Sequence, residues 1–417
     1  MEQSSARTKP HLNVGTIGKI TSNHSAHIYI NNKIGHLGDG STQFKDIQDI
    51  DKTKEEKAKG ISINATRIEY ESESRHYAHV DCPGHDHYLK NMFTGASGMD
   101  CAILVVSAAD GVRAQTREHV LLSRQAGVDK IVVFINKLDG TDPDMAELIE
   151  LNIRELLTSY KYDGDNAPVI RGSALSALNG SDPELGEKAI ERLLEVLDNN
   201  IQIPDRDLDK PFLMSISRSY NIPGRGTVVT GTIKRGRCQV NDQLEVTGLN
   251  RTNHQTTVLS IESFNKLLDF GQAGDYVGIL LSDVTKEQVR RGKSLSQPGS
   301  VGVRRNFEAE MYVLRSDEGG RKTGFVTGYR PQAYLATSDV EVRFELREGV
   351  ENVLPGDNVS CKLKLRFPLP LEQSQRFALR EGGKIVAAGI ITNCLEDSEE
   401  DLKEGVEKRV KKKKKTQ

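Results

Sequence analysis

Residues 131–139 read Ile131-Val132-Val133-Phe134-Ile135-Asn136-Lys137-Leu138-Asp139, and they decide the fold of the first part of the chain. The five apolar, mostly β-branched residues predict a strand buried on both faces of a parallel sheet. The four residues that follow lie at the carboxyl end of this strand, where open α/β sheets bind ligands. Asp139 can accept hydrogen bonds from N1–H and N2–H₂ of guanine, and Asn136 can bond the other edge of the base and tie loops together. The Lys137 stem can cover the base face. The stretch therefore predicts a guanine-binding loop.

Strand and helix patterns alternate on both sides of this stretch. Short apolar runs predict strands at residues 12–17, 77–80, 102–106, 131–135 and 169–170. Helical spacing marks residues 115–125 and 146–160, and in the second segment one apolar face is predicted to contain Leu148, Ile149, Ile153, Leu156 and Leu157. This alternation predicts a doubly wound α/β domain with a mostly parallel sheet over residues 1–203.

The pattern changes after residue 210. Short alternating strands are predicted at residues 227–233, 243–247 and 277–281, and then at 308–314, 341–345 and 359–365. Pro298-Gly299-Ser300 separates the two groups, which predicts β domains at residues 210–299 and 301–394. Strands of this kind form either barrels or sandwiches.

Composition limits the classes of function. The 417 residues carry a net charge of −2, so nucleic-acid contacts must come from local patches. No apolar run approaches the ~18 residues of a membrane helix, and the N-terminus resembles neither a signal nor a transit peptide. The scattered cysteines argue against a disulfide framework and against zinc, and are expected to be reduced thiols: Cys82, Cys101, Cys238, Cys361 and Cys394.

The tail at residues 395–417 is acidic at 396–401 and basic at 408–415. This order complements a helix dipole, so one interpretation is a solvated helix. The other is contact of the lysine run with RNA or the ribosome.

Three further loops follow predicted strands in the order that a GTP site requires. They are residues 18–25, Asp81-Cys82-Pro83-Gly84-His85 and Ser173-Ala174-Leu175. Asp81 can hold Mg²⁺ through water, the Gly84 N–H can bond the γ-phosphate, and His85 can orient the attacking water. The Ala174 N–H is predicted to meet the guanine O6. Together these loops predict a site for GTP and Mg²⁺.

The phosphate loop departs from the pattern G-x-x-x-x-G-K-[ST]. Gly18 begins it and Ser25 supplies a hydroxyl for Mg²⁺, but Asn23 and His24 replace the second glycine and the lysine. Asparagine tolerates positive φ, so the loop can persist. Histidine is shorter and only partly protonated near neutral pH, and losing the lysine contact is expected to cost several kcal/mol, by analogy with ~3 kcal/mol for one preorganised donor.

The sequence closely resembles the elongation factor Tu family, to about residue 392. The resemblance rests on Arg7-Thr8-Lys9-Pro10-His11, Gly224-Arg225-Gly226-Thr227, Gly328-Tyr329-Arg330-Pro331-Gln332 and Arg380-Glu381-Gly382-Gly383, together with the loops above. It implies a P-loop GTPase domain followed by two β-barrels, with GTP, Mg²⁺, aminoacyl-tRNA, the ribosome and an exchange factor as ligands or partners. We expect a monomer, in a plastid stroma if the gene is organellar and otherwise in a bacterial cytoplasm.

The resemblance also assigns residues to roles. His85 is the expected catalytic residue, Ser25, Ser62 and Asp81 the Mg²⁺ ligands, and Lys90, Asn91, Arg330 and Arg380 the tRNA contacts. The nucleotide contacts are expected at Gly18, Thr21, Ser22, Asn23, His24, Ser25, Asp81, Cys82, Pro83, Gly84, His85, Asn136, Lys137, Asp139, Ser173, Ala174 and Leu175.

A second group of departures lies at the family's aminoacyl pocket, where the chain has Arg67, Ser217-Arg218 and Tyr276. Three hypotheses remain. The chain is a GTP-hydrolysing factor that delivers aminoacyl-tRNA, or a guanine-nucleotide-binding scaffold that hydrolyses poorly and serves the ribosome or regulation, or an RNA- or protein-binding module that acts through its lysine tail.

Overall fold

The structure is a computed structural model that describes residues 9–18, 65–84, 88–264, 266–347, 349–399 and 401. It divides into two compact units, one within residues 6–205 and the other within residues 206–417. Among the described residues, no helix combines the length and the apolar character that crossing a membrane requires. Several predicted site residues lie outside the described residues: Thr21, Ser22, Asn23, His24, Ser25, Ser62 and His85.

The first unit is built on a six-stranded sheet. Its strands are β1 (His11–Gly18), β2 (Thr66–Glu71), β3 (His76–Asp81), β4 (Cys101–Ser107), β5 (Lys130–Asn136) and β6 (Val169–Arg171). They lie in the order β2-β3-β1-β4-β5-β6, and every pair is parallel except the antiparallel β2 and β3. Its helices are α1 (Leu89–Ala96), α2 (Ala114–Ala126), α3 (Pro143–Ser159), α4 (Ala174–Asn179) and α5 (Glu187–Asn199). The predicted mostly parallel α/β domain is confirmed.

Helix α3 shows how local sequence sets an element and its buried face. Asp142 caps it by accepting a hydrogen bond from Asp144 N at 3.0 Å, and Pro143 occupies the first turn. Ile149, Ile153, Leu156 and Leu157 are buried as predicted. The prediction for Leu148 was wrong, since its side chain is 53% exposed. Adjacent residues of a helix are about 100° apart around its axis, so Leu148 points away from the face that buries Ile149.

The second unit contains two antiparallel barrels. The strands of its first half are β7 (Leu213–Ser215), β8 (Arg218–Ile222), β9 (Gly226–Arg235), β10 (Arg237–Gln239), β11 (Gln243–Thr247), β12 (His254–Ser263), β13 (Lys266–Leu268), β14 (Phe270–Gln272), β15 (Tyr276–Leu281) and β16 (Ser294–Ser296). Strands β11-β16-β7-β9-β15-β12 form a ring, which the pairing of β12 with β11 closes. The second barrel closes through β17 (Val303–Val313), β20 (Asn358–Pro370), β19 (Ser338–Leu346), β18 (Gln332–Leu335), β21 (Arg376–Glu381) and β22 (Lys384–Cys394). The chain therefore has barrels and not sandwiches.

Lys293, just before β16, is an exception to the apolar interior of the first barrel. The residue is 2% exposed, and no described residue offers its ammonium a hydrogen-bond partner. Burial, and then the neighbouring Arg290, lower the pKa of Lys293. A lysine whose pKa is lower in the folded than in the unfolded chain destabilises the fold below the folded pKa. The penalty disappears as pH rises to the unfolded pKa of about 10.4.

We therefore expect Lys293→Met to raise the free energy of unfolding at pH 7 by about 1–2 kcal/mol, because methionine fills a similar volume without a buried charge. Urea unfolding at pH 7 and pH 10 measures the effect, and the gain should shrink at the higher pH. Lys384→Met, at an exposed position of the second barrel, is the matched control and should change little. A gain of the same size at both pH values would contradict the explanation.

Candidate nucleotide site

The candidate site lies at the carboxyl edge of the parallel strands. Gly18 ends β1, Asp81 ends β3 and Asn136 ends β5, while Ser173 follows β6 and begins α4. Because these strands are parallel neighbours in one sheet, their ends open on the same edge. The structure thus brings the described parts of the predicted loops to one edge of the first unit.

Asn136 joins the two loops that were predicted to recognise the base. Its side-chain Oδ1 accepts hydrogen bonds from Lys137 N at 2.8 Å and from Ala174 N at 2.9 Å. Its backbone carbonyl accepts from Ala108 N at 2.8 Å. The residue is 2% exposed, so these contacts are sheltered from water and fix the loop after β5 to the start of α4.

In the turn that follows Asn136, Lys137 and Leu138 are held by hydrogen bonds, and Asp139 is exposed. Lys137 has a φ of 64°, and its carbonyl accepts from Thr141 Oγ1 at 3.0 Å, which holds the chain in a tight turn. Leu138 is buried and donates its N–H to Gly172 O at 3.3 Å. Asp139 is exposed. The turn therefore buries Leu138 and presents the carboxylate of Asp139 at the surface of the sheet edge.

Ser173, Ala174 and Leu175 have separate roles. Ser173 is the N-cap of α4, since its Oγ accepts from Ser176 N at 3.1 Å. The Ala174 N–H was predicted to meet the guanine O6, but it donates to Asn136 because that carbonyl lies directly across the gap between the loops. Leu175 is 52% exposed, so it offers an apolar surface beside Asp139's loop.

Asp81 is the described residue that fits a Mg²⁺ site. It is 2% exposed, and its Oδ1 accepts a hydrogen bond from Thr16 Oγ1 at 2.8 Å, which fixes the carboxylate. The described residues contain no group of three or more His, Cys, Asp or Glu side chains that could hold a metal. Mg²⁺ commonly takes one or two carboxylates together with phosphate and water, so a single oriented aspartate suits it.

Cys82, predicted among the nucleotide contacts, is a buried thiol whose Sγ donates to Met92 O at 3.7 Å. Burial, and then the nearby Asp81, raise the pKa of Cys82, so it stays protonated at neutral pH. Pro83 and Gly84 are also buried. Only the backbone of this segment is therefore suited to contact a phosphate.

Gly18 has a partner that the sequence interpretation missed. Its N–H donates to His119 Nδ1 at 3.0 Å, and His119 on α2 is fully buried. Gly18 has a φ of 141°, a conformation that favours glycine. The contact fixes the start of the phosphate loop against α2. The signal available in the sequence was the position of His119 within the predicted helix at residues 115–125.

In the second unit, two of the departures from the family pattern lie on one face of a sheet. Arg218 on β8 is opposite Thr230 of β9, and Tyr276 on β15 is opposite Thr232 of β9. Thr230 and Thr232 are two residues apart and point to the same face, so Arg218 and Tyr276 share it. Arg67, the remaining departure outside this unit, lies on β2 opposite Val80.

A cationic cluster extends from this face, and its central residue, Arg291, was missed in the sequence. Its Nε donates to Thr337 O of the second barrel at 3.4 Å. Burial lowers the pKa of Arg291, Asp339 opposes the shift, and Arg218 adds to it. Burial raises the pKa of the Tyr334 hydroxyl, and the positive charges of Arg380 and Arg291 oppose this rise. Arg218, Arg291 and Arg380 therefore lie near one another, with Asp339 as a nearby opposite charge, and arginine is suited to binding phosphate.

The predicted tRNA contacts divide between the units. Lys90 and Asn91 lie half-buried on α1 of the first unit. Arg330 is exposed in the second barrel, 3.9 Å from Glu341, whereas Arg380 is half-buried on β21. Arg380 therefore belongs to the cationic cluster, whereas Arg330 pairs with Glu341.

A sheet edge with an Asn-Lys-x-Asp loop, an oriented aspartate after β3, and two barrels after the α/β domain together define a guanine-nucleotide-binding protein of the GTPase superfamily. Comparison with protein-family models gives the particular family. Residues 9–203 match the elongation factor Tu GTP binding domain, residues 226–296 match elongation factor Tu domain 2, and residues 300–395 match the elongation factor Tu C-terminal domain. The chain belongs to the elongation factor Tu family and is a translational GTPase elongation factor.

Proposed function

We propose that the protein binds GTP with Mg²⁺ and delivers aminoacyl-tRNA to the ribosomal A site, and that hydrolysis to GDP and phosphate releases it. The observation that carries the proposal is the buried Asn136 side chain, which fixes the base-binding turn to α4. Because the turn is already fixed, Asp139 can bind the base without the entropy cost of ordering the loop. Family membership supports translation as the setting.

Hydrolysis is proposed from the same edge. Asp81, oriented by Thr16, would hold Mg²⁺ together with the hydroxyls of Ser25 and Ser62, and His85 would orient the attacking water. Mg²⁺ supplies charge neutralisation at the β- and γ-phosphates when it is bound. The roles of Ser25, Ser62 and His85 are assigned from the sequence alone.

Binding of tRNA is supported by the cationic cluster in the second unit. Arg291 and Arg380 carry two positive charges near Tyr334, and arginine matches phosphate in a bidentate geometry. Lys90 and Asn91 on α1 remain predicted contacts of the tRNA 5′ end.

An exchange factor and the ribosome are the proposed protein partners. Helix α3 supports a partner, since Met145, Leu148 and Leu151 are 48%, 53% and 55% exposed and follow one another at three-residue spacing. An exposed apolar stripe on a helix commonly marks a protein contact. A monomer in a plastid stroma or bacterial cytoplasm stays a prediction from the sequence.

A second candidate is a guanine-nucleotide-binding scaffold that hydrolyses GTP poorly. The observation in its favour is that Asn23 and His24 stand where the phosphate loop has glycine and lysine. Arg218 points the same way, because a cation replaces the acid expected at the aminoacyl pocket.

Restoring the phosphate loop separates the two candidates. If the proposed function holds, the wild-type protein binds GTP in the presence of Mg²⁺ and hydrolyses it on ribosomes. The double variant Asn23→Gly, His24→Lys is expected to bind GTP about 100-fold more tightly, because a lysine restores about 3 kcal/mol of phosphate contact. Equilibrium titration with GTP and GDP, with and without Mg²⁺, measures the gain, and single-turnover hydrolysis on ribosomes measures the chemistry.

Three outcomes decide the comparison. A wild type that neither binds nor hydrolyses GTP, while the variant does both, would refute the proposed function. A wild type that binds GTP but does not hydrolyse it on ribosomes would favour the scaffold. A wild type that hydrolyses GTP but does not retain aminoacyl-tRNA would place the fault at Arg67, Ser217, Arg218 and Tyr276. Arg237→Lys, an exposed conservative change in the second unit, is the control for handling and should match the wild type.

A further inference from the structure

Four neighbouring strands of the first barrel form a notch on its outer face. Across β8, β9, β15 and β12, one row of directly opposed residues reads Arg218, Thr230, Gly278 and Glu262. Opposed residues of a sheet point to the same face. The flanking residues point into the barrel and are buried: Val229, Ile261 and Ile279. Because successive residues of a strand alternate between faces, the row lies on the outside, and its glycine leaves a gap in the middle.

The gap at Gly278 has open space and apolar walls. A Cβ atom added there would lie 3.7–3.8 Å from its three nearest atoms, so no described side chain fills the position. Tyr276 is two residues earlier on β15, is half-buried and flanks the gap on one side. Tyr220, two residues after Arg218 on β8, is 45% exposed on the other side. Aromatic rings of this kind can pack against the apolar part of a ligand.

Two hydroxyl groups beside the notch lack an acceptor or donor. Oγ1 of Thr230 and Oγ1 of Thr232 are buried, and within the described part of the chain they have no hydrogen-bond partner. Thr232 lies opposite Tyr276 and on the same face as Thr230. Buried polar atoms are nearly always hydrogen-bonded, so an exception indicates a bound ligand or water. A hydroxyl can donate a hydrogen bond to an anionic oxygen.

The two ends of the notch carry opposite charges. Arg218 is exposed at one end and Glu262 at the other, and three strand spacings of about 4.8 Å separate their Cα atoms by about 14 Å. A second cation, Arg291, lies near the positive end, because burial lowers its pKa and the charge of Arg218 adds to this shift, while Asp339 opposes it. The notch therefore suits a ligand that carries both an anionic and a cationic group.

An amino acid esterified to tRNA fits this description when its side chain is acidic. Its α-amino group is a cation when protonated, and aspartate or glutamate adds a carboxylate. Where the elongation factor Tu family has an acid pair ahead of Gly224-Arg225-Gly226-Thr227, this chain has Ser217-Arg218. A cation in place of an acid reverses the sign of the charge that the amino acid meets, so an anionic side chain is attracted and a cationic one is repelled.

We propose that the notch selects tRNA that carries an acidic amino acid, aspartyl- or glutamyl-tRNA, and that Arg218 determines this preference. The selection rests on the proposed function, which makes aminoacyl-tRNA the ligand. Arg218 pairs with the side-chain carboxylate, the hydroxyls of Thr230 and Thr232 donate to it, and Glu262 faces the α-amino group. A neutral side chain of the same shape loses the charge-assisted bond to Arg218, which lowers affinity about tenfold.

The test uses the full chain with GTP and Mg²⁺ and one tRNA body acylated in turn with glutamate, glutamine or lysine. Because the RNA is the same in all three ligands, its phosphate contacts cancel and only the amino acid differs. Protection of the ester bond from hydrolysis, measured over a range of protein concentrations, gives each affinity. Glutamyl-tRNA should bind about tenfold more tightly than glutaminyl-tRNA, and lysyl-tRNA more weakly than both. Equal affinities, or a preference for glutaminyl- or lysyl-tRNA, would overturn the proposal.

Variants at position 218 separate selection from a structural role. Arg218→Gln should remove the preference for glutamyl- over glutaminyl-tRNA, and Arg218→Asp should bind lysyl-tRNA more tightly than glutamyl-tRNA. Arg237→Asp makes the same reversal of charge at an exposed position of β10 and should keep the wild-type order. A misfolded barrel would lose all three ligands, whereas a reversed order requires a direct effect on the amino acid. If Arg218→Asp still prefers glutamyl-tRNA, Arg218 does not determine the preference.

The outcomes distinguish this selection from the proposed function. If the wild type binds all three acylated tRNAs equally and only with GTP, the proposed function stands and the selection of acidic amino acids fails. If none of the three binds with GTP, both fail together.

Discussion

Asp139→Asn is expected to lower the affinity for GTP and GDP by about 10²–10⁴-fold while the fold persists. Asp139 is exposed at the tip of the turn that Leu138 and Thr141 fix, so the substitution leaves the buried contacts in place. A carboxylate accepts hydrogen bonds from both N1–H and N2–H₂ of guanine, and each charge-assisted bond contributes about 1.5–3 kcal/mol. Asparagine keeps one acceptor oxygen but places its NH₂ donor opposite the N2–H₂ donor of guanine. One hydrogen bond is lost, and two donors face each other without an acceptor.

The same chemistry provides a positive readout. Xanthine has a carbonyl oxygen where guanine has its N2 amino group, so an asparagine at this position can donate to it. Asp139→Asn should therefore bind xanthosine diphosphate more tightly than guanosine diphosphate, the reverse of the wild type. Titration with both nucleotides measures the exchange of preference. Asp165→Asn, exposed in the same unit, is the matched control and should keep the wild-type preference. Loss of both nucleotides together with a lowered melting temperature would show that Asp139 has a structural role instead.

The central strands of the first unit were predictable because they are apolar on both faces. Strands β4 and β5 are buried along nearly their whole length, which leaves a run with no helical period. Strand β2 was not predicted, because at the edge of the sheet its residues alternate between buried and half-buried positions, and charged side chains interrupt the run. The two barrels that the family resemblance implied are confirmed. The strand pattern alone left barrels and sandwiches open, since closure depends on pairings such as β11 with β12 that single strands do not encode.

The site was predictable where one short segment carries the chemistry, and not where several segments meet. Asn136 and Asp139 lie three residues apart in one turn, and their pattern is specific enough to read from the chain. The partner of Asn136, the Ala174 N–H, was assigned to the base because nothing in the sequence shows the distance between the two loops. Arg291 was missed for a related reason: its neighbours Arg218 and Asp339 come from segments that are far apart in the chain.

Asn136→Ala is expected to weaken both the fold of the first unit and nucleotide binding. The substitution leaves the fully buried Ala174 N–H and the Lys137 N–H without their acceptor, and a buried donor without a partner costs about 1–3 kcal/mol. It also removes the amide that was predicted to bond the base. We expect the free energy of unfolding to fall by about 2–4 kcal/mol and the affinity for GDP to fall by about 10²–10³-fold. Urea unfolding without nucleotide and titration with GDP measure the two effects separately.

Tyr162→Phe distinguishes a specific effect of Asn136 from general destabilisation. The Tyr162 hydroxyl donates to Val128 O at 2.9 Å, near the opposite end of β5, and Tyr162 is also buried. Losing this bond is expected to cost about 1 kcal/mol of stability without moving the loops at the carboxyl edge. If GDP affinity simply followed stability, the loss of GDP affinity would be proportional to the loss of unfolding free energy, and both variants would fall on one line in a plot of these two quantities. Because Asn136 joins the base-binding turn to α4, its substitution should lose far more affinity for each kcal/mol of stability, and a common line would contradict that role.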